Sequence, residues 1–120
     1  MAQKRILLLE DEADVGDLFH LALRTSGYAV DVATSIGLAR QRLAATRYDL
    51  VIADLRLPDG DGLQIADQAA DLGTKTIILS AYLFHLPAGT AQNHDLLMKP
   101  IRPRDLLAAV ERAIGPAKDP

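Results

Sequence analysis

The sequence predicts a doubly wound α/β fold built on a five-stranded parallel sheet. Three observations carry the prediction. Short apolar runs of strand length recur at residues 6–9, 50–53 and 76–79. The stretches between them place apolar residues three and four apart, the spacing of an amphipathic helix. Polar or acidic residues and turn signals close the runs, most densely after Asp54, at Pro58-Asp59-Gly60-Asp61-Gly62. Strands alternating with helices imply a parallel sheet covered on both faces by right-handed crossovers. Ligands in such folds sit in the crevice at the carboxyl ends of the strands.

In chain order, Ile6-Leu7-Leu8-Leu9 reads as a fully buried strand ending on Glu10-Asp11-Glu12. From Asp14 a helix follows, with Val15, Leu18, Phe19, Ala22 and Leu23 on its apolar side and Ser26-Gly27 as its stop. Residues 28–32 alternate as a second strand, and Thr34 or Ser35 caps a second helix whose inner face holds Ile36, Ala39 and Leu43. The third strand leads into Asp54. Residues 63–72 form the third helix, closed by Gly73. Residues 76–80 make the fourth strand and Leu96-Leu97-Met98 a brief fifth, before Lys99-Pro100. Arg104 or Asp105 opens the last helix, with Leu106, Leu107, Val110 and Ile114 spaced for burial and Gly115-Pro116 at its end. Between the last two strands Pro87, Gly89, Asn93 and Asp95 make a poor helix, so the fourth helix is expected to be short or replaced by a loop.

Bulk properties narrow the function. The chain has 120 residues, enough for one domain that needs no staple, and 49% of them are hydrophobic against 24% charged. The net charge of -3 leaves no electrostatic footprint for nucleic acid. With no cysteine, disulfides, thiolate catalysis and zinc–thiolate sites are excluded. The apolar run after Lys4-Arg5 reaches Glu10 too soon for a signal peptide or membrane span, so a cytoplasmic home is expected.

A parallel sheet would line Glu10, Asp11, Asp54, Ser80 and Lys99 along one edge. Three converging carboxylates raise one another's pKa values unless a cation relieves them. A magnesium ion suits them, because it takes a few carboxylates and keeps most of its waters. A hydroxyl and an ammonium flanking Asp54 form a cradle for an added phosphoryl group: Lys99 for one oxygen, Ser80 for another, the metal for a third. Singly, Asp54 also fits a strand-ending or capping acid, the acidic triplet a helix's first turn, Ser80 an N-cap and Lys99 a solvated lysine. Their joint arrival at adjacent strand ends favours the cradle. His20, His85 and His94 share no metal-ligand spacing and read as surface or partly packed; there is no Gly-x-Ser-x-Gly elbow, Walker loop or Gly-x-Gly-x-x-Gly.

The succession Leu-Leu-Leu-Glu-Asp-Glu, Val-Ile-Ala-Asp-Leu-Arg-Leu-Pro-Asp-Gly-Asp-Gly, Ile-Ile-Leu-Ser-Ala and Met-Lys-Pro resembles the response-regulator receiver domain of two-component signalling. The likeness spans roughly residues 4–114. It implies the flavodoxin-like receiver fold, with Asp54 as phosphoacceptor, Asp11 as direct Mg2+ ligand, Glu10 holding the metal through water and the Arg56 backbone carbonyl completing the ligands. Ser80 matches the switch hydroxyl and Lys99 the family's lysine, and the Lys99-Pro100 bond is expected to be cis. Three departures stand out. The first acid is Glu10 rather than the commoner Asp. Leu96 occupies the position of the aromatic switch residue, and the Ser80-to-Lys99 segment is short.

The resemblance implies a phosphoaccepting domain, not a conventional enzyme, taking its phosphoryl group from a histidine kinase or histidine phosphotransfer protein. Residues 1–120 are expected to form a single receiver domain with no output domain, monomeric, cytoplasmic, and without direct contact with nucleic acid or membrane. Activation is expected to order or shift residues 82–95, with Tyr82 or Phe84 taking over the packing role of the missing aromatic. The alternatives are a receiver excised from a larger response regulator such as a transcription factor, and a receiver-fold interaction module that is never phosphorylated. An aspartyl-nucleophile phosphohydrolase would want an acid at Arg56, and a flavin module would want a phosphate loop where Glu10-Asp11-Glu12 stand.

Overall fold

The computed structural model describes residues 3–81 and 86–117. Strands β1 (Arg5–Leu9), β2 (Ala29–Ala33), β3 (Leu50–Asp54), β6 (Lys75–Ser80) and β7 (Asp95–Met98) form one parallel sheet. Its order is β2-β1-β3-β6-β7, so the winding reverses between β1 and β3, where a doubly wound sheet opens its crevice. Strand β3 is buried along its whole length and β6 from Thr76 onward because helices cover both faces, which is why they read as apolar runs.

Side-chain alternation divides the core into two layers. Ile6, Leu8, Leu50, Ile52, Ile77 and Leu79 point toward α1 (Ala13–Thr25) and α5 (Pro103–Ile114), meeting Phe19, Leu23, Leu106 and Val110. Leu7, Leu9, Val51 and Ala53 point the other way, toward α2 (Ile36–Ala45) and α3 (Leu63–Asp71), meeting Ile36, Ala39, Leu43 and Ile65. Each fully buried leucine or isoleucine contributes about 1.5–3 kcal/mol of transfer free energy. Removing surface on both sides of β3 therefore makes it the most firmly held place from which to project a side chain.

Several local readings need correction. Leu18 faces solvent, 51% exposed. The buried stripe of α1 is Gly16, Phe19 and Leu23, because those positions turn toward the sheet and Leu18 lies beside them. Helix α5 begins at Pro103, not at Arg104 or Asp105; proline suits the first helical turn, where its missing N–H has no intrahelical acceptor. His94 is neither surface nor partly packed but buried, bonded to the Thr76 hydroxyl through Nδ1 and to Asp67 Oδ1 at 2.7 Å through Nε2. The turn after Asp54 holds a short hairpin, β4 (Arg56–Leu57) against β5 (Gly60–Asp61). Ser35 caps α2 as expected, its Oγ accepting from Leu38 N–H at 3.1 Å. The fourth helix is one turn, α4 (Thr90–Asn93). Tyr82, Phe84 and His85, and with them the expected packing role of the two aromatics, lie outside the described residues.

Candidate functional site

The carboxyl ends of four strands, β1, β3, β6 and β7, build the site. Glu10 follows β1 and is buried, its Oε2 accepting from the N–H groups of Asp11 at 3.1 Å and Glu12 at 3.4 Å. Asp11, next along, is exposed at the mouth. Asp54 ends β3 at 6% exposure. Each of these three acids presents an oxygen such that all three lie within 4.8 Å of one another, an arrangement that can hold a metal ion. Ser80 ends β6 and is buried. Lys99 follows β7, its N–H donating to the Ser80 carbonyl at 2.9 Å, and its Nζ donates to Asp54 Oδ2 at 2.7 Å and Glu10 Oε1 at 3.3 Å. The Lys99-Pro100 peptide is cis. A cavity of about 270 Å3 opens over this edge, lined by Asp11, Asp54, Arg56, Ser80 and Lys99 among others.

The hairpin after Asp54 is pinned at both ends. At its base, Gly62 N–H donates to the Leu55 carbonyl at 2.8 Å, and a Cβ on Gly62 would stand 1.9 Å from the Asp54 carbonyl oxygen. Only glycine permits that approach. At its turn, Asp59 accepts from the N–H groups of Ile36 at 2.8 Å and Gly37 at 3.1 Å. Asp61 accepts from Leu63 N–H at 2.8 Å and so covers the first turn of α3. Arg56, at the hairpin's start, directs its N–H toward Asp54 Oδ1 at 3.4 Å.

A sequence model described as the response regulator receiver domain matches residues 6–111. The chain belongs to the response regulator receiver family. Among curated relatives, the response regulator protein PilR of Pseudomonas aeruginosa is 31% identical over 127 residues, covering 97% of this receiver and 28% of PilR. The swarming motility regulation protein RssB of Serratia marcescens is 35% identical over 114 residues, covering 88% of this receiver and 51% of RssB. The chain thus spans about half or less of the length of these relatives. A CheY-like receiver domain protein from Methanospirillum hungatei JF-1 superposes with a TM-score of 0.84 at 27% identity, covering 94% of each chain. A CheY-like receiver domain from Methylobacillus flagellatus gives 0.82 at 26% identity, covering 93% of this chain and 99% of its own.

The receiver's charge balance explains its titration. Burial first, and then the hydrogen bond and charge of Asp54, push the Glu10 carboxyl up from 4.5 to about 7, while Lys99 opposes the rise. Burial alone would depress Lys99, but its hydrogen bonds and charge interactions with Asp54 and Glu10 outweigh that, and its pKa is raised. Three carboxylates thus face one ammonium, a cluster with room for further positive charge. The donor set is carboxylates alone among these side chains, with neither thiolate nor imidazole, which suits a hard cation.

All six positions singled out from the sequence, Glu10, Asp11, Asp54, Arg56, Ser80 and Lys99, lie around this one edge. Leu96, on β7, is half-buried. What sequence reasoning passed over is the bracing of the site by Asp59 and Gly62. Their signal was the Pro-Asp-Gly-Asp-Gly run, legible as a turn but silent about which N–H groups its acids would take. A larger cleft of about 920 Å3 opens at the opposite end of the strands, where the buried Thr76 and His94 are already bonded to each other.

Proposed function

We propose that this receiver accepts a phosphoryl group from the phosphohistidine of a sensor kinase or histidine phosphotransfer protein onto Asp54, with Mg2+ present, and that the acyl phosphate switches partner binding. The observation carrying the reading is the carboxylate of Asp54, held at the end of the central strand beside the oxygens of Glu10 and Asp11 and 2.7 Å from an ammonium. Asp11, the Arg56 carbonyl and Asp54 would hold the ion, with Glu10 behind a water. A bound Mg2+ supplies neutralisation of the charge on the transferring oxygens.

The chain's own groups do the rest. An oxygen of Asp54 attacks phosphorus in line with the phosphorus–nitrogen bond; the new phosphorus–oxygen bond forms as the old one breaks, and its electron pair stays with the leaving imidazole. Lys99 already grips the nucleophile and is placed to take a phosphoryl oxygen afterwards. Ser80, at the next strand end, is placed to bond a second. That pull is the first motion of the switch, and it proceeds past Leu96 without an aromatic ring to swing. No described helix is long and apolar enough to cross a membrane. A cytoplasmic setting suits the proposed donors.

Incubation with acetyl phosphate, or with a phosphohistidine donor, tests the reading. One phosphoryl group should be added, EDTA should prevent it, and Asp54→Asn should abolish it. Undiminished labelling of Asp54→Asn would overturn the assignment, and full phosphorylation in EDTA would overturn the role of magnesium.

A further inference from the structure

Helix α2 begins with N–H groups that its own turns cannot satisfy. Its cap Ser35 takes the one from Leu38. The two before it go to a different element: Ile36 N–H to Asp59 Oδ1 at 2.8 Å and Gly37 N–H to Asp59 Oδ2 at 3.1 Å. Asp59 lies in the turn between β4 and β5, so both of its oxygens tie that turn to α2. At Gly60, beside it, an added Cβ would lie 3.5 Å from Gln64 Nε2 and 3.6 Å from Ile36 Cδ1, so the turn lies close to the start of α2. The hairpin's base is fixed separately, by Gly62 on Leu55. Arg56 opens the hairpin between these two anchors, paired across it with Asp61.

We propose that Asp59 is a positioning residue for the cation site. By clamping the hairpin turn onto the first turn of α2, it sets the plane of the Arg56–Leu57 peptide and so aims the Arg56 carbonyl at the acid cluster. The inference rests on the magnesium reading above. Two-residue strands carry too few ladder bonds to hold that plane alone. The carboxylate's paired bonds to α2 supply the missing constraint.

The test is a Mg2+ titration by calorimetry of metal-stripped protein, with the Leu57 amide followed by NMR as a report on the Arg56–Leu57 peptide. Asp59→Ala should raise the Mg2+ Kd about tenfold, the usual scale for loss of a group that orients a ligand. It should also move the Leu57 amide resonance before any Mg2+ is added. Asp59→Asn, which keeps an acceptor oxygen, should recover most of the affinity. Ser35→Ala weakens the same helix end without touching the hairpin, so it should lower the Tm yet leave both readouts as in wild type. An unchanged Kd in Asp59→Ala, or an equal loss in Ser35→Ala, overturns the positioning role while magnesium binding by the wild type stands. Absence of saturable binding by the wild type overturns the magnesium reading and this inference with it.

Discussion

Replacing Glu10 with glutamine, and following stability against pH in EDTA, probes the electrostatics of the acid cluster. Burial and the neighbouring Asp54 push the Glu10 carboxyl up to about 7 in the folded protein, from 4.5 in the unfolded chain. Between those values the folded state holds a proton that the unfolded state has released, so stability falls as pH rises through the window and is lowest above it. The gap corresponds to a penalty of up to about 3 kcal/mol, because each pH unit of difference is worth about 1.4 kcal/mol. Lys99 does not disturb the comparison: its raised pKa contributes stability that is lost only above the ordinary lysine range. Glutamine cannot ionise, and it loses one of the two oxygens that accept from Asp11, Glu12 and Lys99. That loss adds a pH-independent cost of about 1 kcal/mol. The readout is therefore the slope. Urea midpoints from pH 4.5 to pH 8 should show wild type losing ground to Glu10→Gln as pH rises, and saturating Mg2+ should flatten the trend. A difference between the two proteins that stays level across that range would refute the argument.

Three further outcomes are expected. Under the proposed assignment, with Asp11 a direct ligand and Glu10 one through water, Asp11→Ala should weaken Mg2+ binding and phosphorylation more than Glu10→Ala; calorimetry ranks them, and the opposite order would reverse the assignment. Gly62→Ala forces a Cβ into the Asp54 carbonyl and should cost about 3 kcal/mol or more in urea unfolding, whereas Gly73→Ala meets open space and only the strain of its positive φ, about 1 kcal/mol. Equal costs would contradict the close approach. Val15 and Ile101, half-buried, together with exposed Leu18, are the apolar groups on which the proposed kinase would dock a helix pair. Aspartate at each should slow transfer from the kinase but not from acetyl phosphate, and equal slowing with both donors would count against docking there.

The five strands and the acid edge were legible because burial on both faces leaves unbroken apolar runs, and because a run that stops on an acid marks its own carboxyl end. The hairpin from Arg56 to Asp61 was not, since two-residue strands contain no periodicity to read. The apolar spacing that includes Leu18 shows that a stripe exists without fixing its edges by one position, so it could not tell a packed Leu18 from the exposed one. His94 gave no local sign of burial: its partners Thr76 and Asp67 are 18 and 27 residues away, and only the fold brings them to it. Asp105 carries the charge that suits a first helical turn, but Pro103 before it suits the first position as well, and α5 begins there.

The buried position of His94 bears on Lys99, five residues further on. Strand β7 is short and lies at the sheet's edge, paired only through Ile77↔Asp95 to Ser80↔Met98. Such a strand is open to slippage, and a slip of one residue would exchange its two faces. It would also carry Lys99 about 3.3 Å along the strand, more than its 2.7 Å bond to Asp54 could absorb. Among the described residues the helix between β6 and β7 is a single turn, α4. The imidazole is gripped by Thr76 on the neighbouring strand and by Asp67 on α3, and a slip would break both bonds. A histidine at the far end of the sheet thereby opposes the slip that would carry the ammonium off its carboxylate.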